Sequence, residues 1–320
     1  MSLTQAQLDQ FHRDGYIIVP DVFTEAEMDA ALAAMDQTFY GKSFDEWLAD
    51  VDAGQADGVS DGFTTTHDHE AGRSQFPTGA DALDRLIEKE TYLDIFEQCL
   101  GDNPAYCNAH LFLRSGPTDA RHAEHPWEGY HIDHYTNCLL PPHDSVGRYD
   151  YVNSGVYLHD VVDGGAPMMV VPGSHKVAQE AYCNAFAADN AGGGSIHDLR
   201  KVAEVAEPVP AVGPRGSAAF YSSYLIHAAQ PFTNKRVQRA FWTLSMCGRD
   251  NDAWTRFANP FIYGEREYMM PFLTTTTPRV RSLFGFPEPG HPYYTAKTLA
   301  LLEATIPGLD TTPYRKDLSA

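Results

Sequence analysis

Between Ala105 and Arg114 the chain alternates with a period of two: Cys107, Ala109, Leu111 and Leu113 against Tyr106, Asn108, His110, Phe112 and Arg114. Successive side chains of a β-strand point to opposite faces, so this stretch predicts a strand with one apolar and one polar face. A face that sets an amide, an imidazole and a guanidinium among aromatic rings suits the lining of a polar barrel interior. Further strands are expected at Val152–Asp160, Pro167–Val171, Ser217–Ser223 and Gln238–Cys247, with another around His131. Asp163-Gly164-Gly165 reads as the turn of a hairpin between the Val152 and Pro167 strands, which Pro172-Gly173-Ser174-His175 closes. Closely spaced strands behind a helical start predict a mainly β fold with flanking helices. The form expected is a double-stranded β-helix, a jelly-roll or cupin-like barrel.

The helical start is well signalled. Thr4 with Gln7 and Thr24 with Glu27 form capping boxes, and Leu3 and Phe23 can staple onto Leu8 and Met28. The first helix stops at Gly15, and Tyr16–Val19 follows as a short strand. From Gly41 to Gly79 the chain reads as a loop, rich in Asp, Gly, Ser and Thr beyond Val51. Loops of that length are lids or mobile insertions, and Val51–Gly79 is expected to be a substrate-gating lid, with a solvated insertion as the alternative. Its His67-Asp68-His69-Glu70 reads either as solvated side chains or as a second metal site. Helices return at Ala80–Glu88 and Thr91–Leu100, and are expected again at Ala178–Ala188 and Thr295–Ala304. One domain is read over residues 1–320. Residues 1–100 form a helical flank, 104–247 the jelly-roll core, and 248–320 an extension packed on the barrel.

Charge narrows the partners. With 23 basic against 43 acidic residues the net charge is −20, which argues against nucleic acid and anionic membranes. The five cysteines are odd in number and never occur as CxxC, which argues against a disulfide scaffold or zinc knuckle. No signal segment or membrane-length apolar run is visible, so a cytoplasmic location is expected.

Within Tyr130-His131-Ile132-Asp133, His131 and Asp133 share one face of a strand and can grip one metal ion. A His from a distant strand would complete a two-His, one-carboxylate facial triad with three metal positions open. The motif alone is weak, because 14 His and 43 acids in 320 residues make about two His-x-acid triplets expected by chance. His12/Asp14 lies on a predicted helix, where residues two apart do not face each other. His122/Glu124 lies in a loop. Only His131/Asp133 has a strand context, and neighbouring His134 should point outward.

Downstream, His227 follows a strand, and Arg239 comes twelve residues later with Phe241 and Thr243 on its face. A guanidinium beside Ala240, Phe241 and Trp242 should be buried and so needs an anion. A dicarboxylate cosubstrate would serve, through paired hydrogen bonds; so would an internal Asp or Glu. Arg236 sits in the turn with Asn234 and Lys235 and should be solvated.

The segment LTQAQLDQFHRDGYIIVPDVFTEAEMDAAL resembles the N-terminal signature of the phytanoyl-CoA dioxygenase family. Pro172-Gly173-Ser174-His175 matches a family turn near the active site. The order His-x-Asp, distal His, then Arg-Ala is similar to that of the family's Fe(II)/2-oxoglutarate oxygenases. The resemblance spans about residues 3–247. It implies Fe(II) at His131, Asp133 and His227, with Arg239 on the far carboxylate of 2-oxoglutarate and O2 as the oxidant. The family's Leu-Phe-x-Lys-Pro stretch reads Leu111-Phe112-Leu113-Arg114-Ser115 here. Arg114 is a plausible substitute for the lysine and shares its polar face with Asn108. Gly155 falls near a position commonly aromatic in the family, so the wall beside 2-oxoglutarate is expected to be built differently. Related halogenases replace the metal-binding carboxylate with a small residue; Asp133 keeps it, which favours hydroxylation or another C–H oxidation.

Two other classes compete with the oxygenase. A non-oxidative metal-dependent hydrolase or isomerase would use the same three ligands without Arg239. A non-catalytic jelly-roll binding module would leave the ligands unexplained. Phe261, Tyr263, Tyr268, Phe284, Phe286, Tyr293 and Tyr294 read equally well as a substrate wall or as core.

Overall fold

The structure, a computed structural model, describes residues 2–56, 76–115, 130–133, 151–177, 206–230, 232–234, 236–249 and 266–315. Helix α1 (Gln5–Asp14) and α2 (Glu25–Tyr40) start at the capping boxes of Thr4 and Thr24. Gly15 and Gly41 end them in the left-handed conformation. Strand β1 (Tyr16–Val19) lies between them. Then follow α3 (Phe44–Asp52), α4 (Asp81–Asp84), a 3-10 turn at Arg85–Glu88 and α5 (Glu90–Leu100). The strands are β2 (Pro104–Ser115), β3 (Tyr151–Tyr157), β4 (Met168–Val170), β5 (Val209–Pro210), β6 (Ala218–Ser222), β7 (His227–Ala229) and β8 (Gln238–Gly248). Helices α6 (Arg266–Thr275), α7 (Pro278–Leu283) and α8 (Ala296–Thr305) finish the described chain.

Two antiparallel sheets result, ordered β1-β6-β3-β8-β2 and β5-β4-β7. The larger sheet uses both faces, as the period-two pattern requires. One face sets Ala109, Leu111, Trp242, Leu244 and Phe220 against Met28 and Met35 of α2 and Leu93 and Phe96 of α5. The C-terminal helices join that core through Met269, Phe272, Val280 and Leu283. The opposite face turns Tyr157, Ala219, Tyr221 and Phe241 toward Met168, Val170 and Leu225 on the side of the smaller sheet. Among the described residues the sheets are not closed into a barrel; the architecture is a pair of antiparallel sheets with flanking helices. No described helix is long and apolar enough to cross a membrane.

Several expectations are corrected. β3 and β4 do not form a hairpin: β3 pairs with β6 and β8, whereas β4 pairs with β5 and β7. The Asp163-Gly164-Gly165 turn therefore carries the chain from one sheet to the other, and Gly164 O accepts from the N–H groups of Thr233 and Asn234. His227 follows a strand, β6, after a short turn, and itself begins a further one, β7. His131 lies in no extended strand; it forms an isolated antiparallel bridge to His227. The Gly41–Gly79 loop holds a helix, α3, whose capping box is Ser43 with Glu46. Residues 57–75, with His67 and His69, lie outside the described residues, as do 178–205, His122–Glu124, His134, Phe261 and Tyr263. Of the tail aromatics, Phe284 packs with Phe76, Tyr106 and Phe272, and Tyr294 with Tyr314. These rings are core.

The Pro172–His175 turn is a clamp. Gly173 N–H donates to Asp14 O at 2.8 Å, and the His175 ring bonds His12 O through Nε2 at 3.1 Å. Ser174 Oγ accepts from Ile226 N–H at 2.9 Å, one residue before His227. Gly15 makes the approach possible, with φ +79° and its missing Cβ position only 2.4 Å from His175 Nδ1. His175 thus ties α1 to the start of β7 and touches no metal ligand.

Candidate metal centre

A short turn after β6, with Leu225 N–H bonded to Ser222 O, delivers His227 to the space between the sheets. His131 and His227 then exchange both backbone hydrogen bonds at 3.0 Å, and Asp133 N–H donates to Ser223 O at 3.0 Å. This two-residue spacing sends His131 and Asp133 to one side, while Ile132 between them is buried.

The side chains converge. His131 Nε2 lies 3.4 Å from Asp133 Oδ1, and His227 Nε2 lies 3.4 Å from Asp133 Oδ2. All three donor atoms fall within 4.8 Å of one another. Adjacent donors on an octahedral ion with bonds of about 2.1 Å sit roughly 3 Å apart, so the set fits a small divalent cation. His227 Nδ1–H donates to Leu225 O at 2.9 Å, which fixes the tautomer and leaves Nε2 free as a ligand. Burial opposes charge on Asp133, but His227 and His131 outweigh it and hold its carboxyl at about 2. Burial is also the main influence on His227 and lowers its pKa, favouring the neutral ring that a metal needs.

A supporting chain fixes the carboxylate. Asn153 Nδ2 donates to Asp133 Oδ2 at 2.7 Å, and Asn153 Oδ1 accepts from Ser245 Oγ. Asn153 and Ser245 are cross-strand partners, and Ser245 pairs on its other side with Asn108. Groups that orient a ligand in this way typically change metal affinity by about 10- to 100-fold when lost. Asn153→Ala is therefore expected to weaken Co(II) or Fe(II) binding by that factor, read by metal titration. Unchanged affinity would show that Asp133 is oriented without Asn153.

Arg239 lies on the same face of β8 as Phe241, Thr243 and Ser245 and is 5 % exposed. Its Nε is buried without a hydrogen-bond partner, and no described carboxylate pairs with the guanidinium. Its Cζ lies 4.6 Å from the Phe241 ring centroid and 5.7 Å from that of Tyr157. Such stacking contributes about 0.5–2 kcal/mol and leaves the hydrogen-bond demand of a buried cation unmet. An internal Asp or Glu does not fill the role among the described residues. Arg114 is the register partner of Arg239, so two arginines occupy directly opposite positions of β2 and β8. Arg236 lies apart in its turn, exposed and paired with Asp52 at 2.7 Å.

Gly155 shows how the wall is built. A Cβ at this position would sit 2.1 Å from Phe241 Cζ, so the missing side chain makes room for a ring supplied from β8. The Phe241 ring then lies beneath Arg239. Gly155→Ala is expected to cost about 1–3 kcal/mol of stability by overpacking. Thermal unfolding should show that loss, and Phe241→Leu in the same chain should recover most of it. Two losses that simply add would separate Gly155 from Phe241.

His159 secures the neighbouring backbone. Its Nδ1–H donates to Asp160 O at 2.8 Å, and its Nε2 accepts from Ala240 N–H at 2.9 Å. Burial, with help from Arg239, pushes its pKa down and keeps the ring neutral. Asn153, Ser245, His159 and Tyr221 are residues that sequence reasoning passed over. Asn153 offered one signal, an amide inside the otherwise apolar and aromatic run YVNSGVY.

The sequence profile described as "Phytanoyl-CoA dioxygenase (PhyH)" matches residues 11–240. A search of curated proteins gives no match. Among solved structures, EctD from S. alaskensis with 2-oxoglutarate and 5-hydroxyectoine is 20% identical, covers 82% of this chain and 84% of its own, and has a TM-score of 0.50. HygX from Streptomyces hygroscopicus with nickel and 2-oxoglutarate bound is 16% identical over 78% of this chain and 88% of its own, with a TM-score of 0.48. The non-heme alpha ketoglutarate dependent epimerase SnoN from nogalamycin biosynthesis is 15% identical over 76% and 82%, with a TM-score of 0.48. At 20% identity the likeness to EctD is one of fold. The profile match covers most of the chain and includes His131, Asp133, His227 and Arg239, so the chain belongs to the phytanoyl-CoA dioxygenase family.

Proposed function

We propose that the protein is an Fe(II)- and 2-oxoglutarate-dependent dioxygenase. It hydroxylates a small molecule, or otherwise oxidises one of its C–H bonds, with release of succinate and CO2. The observation that carries this reading is the coexistence of a His-Asp-His donor set and a buried guanidinium with no described carboxylate partner. A hydrolase or isomerase would have no use for the second feature.

His131, Asp133 and His227 would hold the iron from one side and leave its other positions open. Arg239 would take the far carboxylate of 2-oxoglutarate through paired hydrogen bonds, with Phe241 and Tyr157 fixing its plane. Asn108 and Arg114 belong to the same polar face of β2 and β8 and would line the cosubstrate side. With these bound, iron, 2-oxoglutarate and O2 supply an oxidation of the substrate coupled to decarboxylation. The protein positions the reactants, and the aromatic wall keeps water from them. The test is a screen of candidate small molecules under Fe(II), 2-oxoglutarate and oxygen. Succinate above the uncoupled background, matched by an oxidised product, supports the reading. Product formed without consumption of 2-oxoglutarate would replace it with a non-oxidative one.

A further inference from the structure

The residues on either side of Arg239 are anchored by side chains from outside its strand. Strand β3 accompanies β8 as far as Tyr157, which pairs with Phe241. The next rung of the ladder is only half made. Leu158 N–H donates to Ala240 O at 3.1 Å, but Leu158 O accepts from Arg215 Nε at 3.0 Å. The Ala240 N–H that a second ladder bond would use donates instead to His159 Nε2, at 2.9 Å. His159 Nδ1 meets Asp160 O, which can only accept, so Nδ1 carries the proton and Nε2 is bare. The imidazole thus stands in for a strand carbonyl where β3 has ended. On the other flank, Gln238 Nε2 donates to Asp36 Oδ1 at 2.9 Å, and Gln238 Oε1 accepts from the Tyr40 hydroxyl at 3.2 Å. Both partners lie on α2. Arg239 is buried between these anchors, its guanidinium beside the Phe241 and Tyr157 rings.

We propose that His159 is a positioning residue for Arg239, fixing where the guanidinium sits and so how tightly it holds 2-oxoglutarate. Paired hydrogen bonds to a carboxylate need the two groups in one plane, so a small backbone shift at Ala240 weakens the grip. The inference rests on the proposed cosubstrate and adds a residue that tunes its binding through Arg239.

Calorimetric titration of 2-oxoglutarate into Co(II)-loaded protein tests it without turnover. His159→Phe keeps a ring but loses the acceptor, and should bind 2-oxoglutarate roughly tenfold more weakly than wild type. His159→Asn, whose amide is too short to take the place of Nε2, should do the same and serves if the ring swap does not fold. His159→Gln, whose Oε1 can accept from Ala240 N–H, should bind as wild type does. Co(II) affinity should be equal in all of them. The metal ligands have other supports, Asn153 on Asp133 and the Tyr221 ring on His227 with centroids 4.9 Å apart. Wild-type affinity for 2-oxoglutarate in the Phe or Asn variant overturns the proposal. So does an equal loss in His159→Gln, or a parallel loss of Co(II) affinity, which would make His159 a general support of the fold. Failure of the wild-type protein to bind 2-oxoglutarate would refute the cosubstrate reading itself.

Discussion

His131→Ala, Asp133→Ala and His227→Ala should each abolish iron-dependent turnover and leave a folded protein with substoichiometric metal. The donor atoms lie within 4.8 Å of one another, and a facial site that loses one of three ligands retains two. The fold should survive because the larger sheet and the helical core are built from other residues, and His227 joins the smaller sheet through its backbone, which alanine retains. Asp133→Ala has the largest structural side effect. It removes the acceptor for Asn153 Nδ2, and a buried donor left unpaired costs about 1–3 kcal/mol. Metal content per chain, circular dichroism and succinate release are the measurements. Full activity in any one variant with unchanged metal content would remove that residue from the centre.

Arg239→Ala should raise the Michaelis constant for 2-oxoglutarate by about one to two orders of magnitude, since hydrogen bonds to charged groups contribute roughly 1.5–3 kcal/mol. Arg236→Ala, three residues away, should scarcely change it. Arg236 is exposed and bound to Asp52, and surface ion pairs contribute about 0–1 kcal/mol. The contrast isolates strand position from charge, because both variants remove one arginine. A larger effect at Arg236 would mean that the buried guanidinium does not serve the cosubstrate.

The alternation in Ala105–Arg114 and Gln238–Cys247 was legible because burial on two unlike faces writes itself directly into a period of two. β2 and β8 pair as that pattern requires, with Leu111 opposite Trp242 on the apolar side and His110 opposite Thr243 on the polar side. The capping boxes of α1 and α2 were legible for a similar local reason. Helix α3 carries an equal signal, Ser43 with Glu46 ahead of Trp47 and Leu48, but the acidic, glycine-rich stretch behind it masked the signal. The error at β3 and β4 has another origin. A Gly-Gly turn has the same chemistry whether it joins paired strands or crosses between sheets, and only tertiary pairing decides. Of the candidate centre, ligand spacing could be read locally. The Asn153–Ser245 support and the position of Tyr221 depend on register between strands far apart in sequence, which no local pattern encodes.

Strand β8 is buried along its whole length from Gln238 to Gly248. Arg239, Phe241, Thr243 and Ser245 face the candidate centre, while Ala240, Trp242, Leu244 and Met246 enter the helical core. A slip of one residue would send the first set into the core and the second into the site. For anyone diversifying this protein toward new substrates, β8 offers no silent positions: half of its substitutions would alter chemistry and the other half would lower yield. Variation is better carried by segments whose two faces do not both have an assignment.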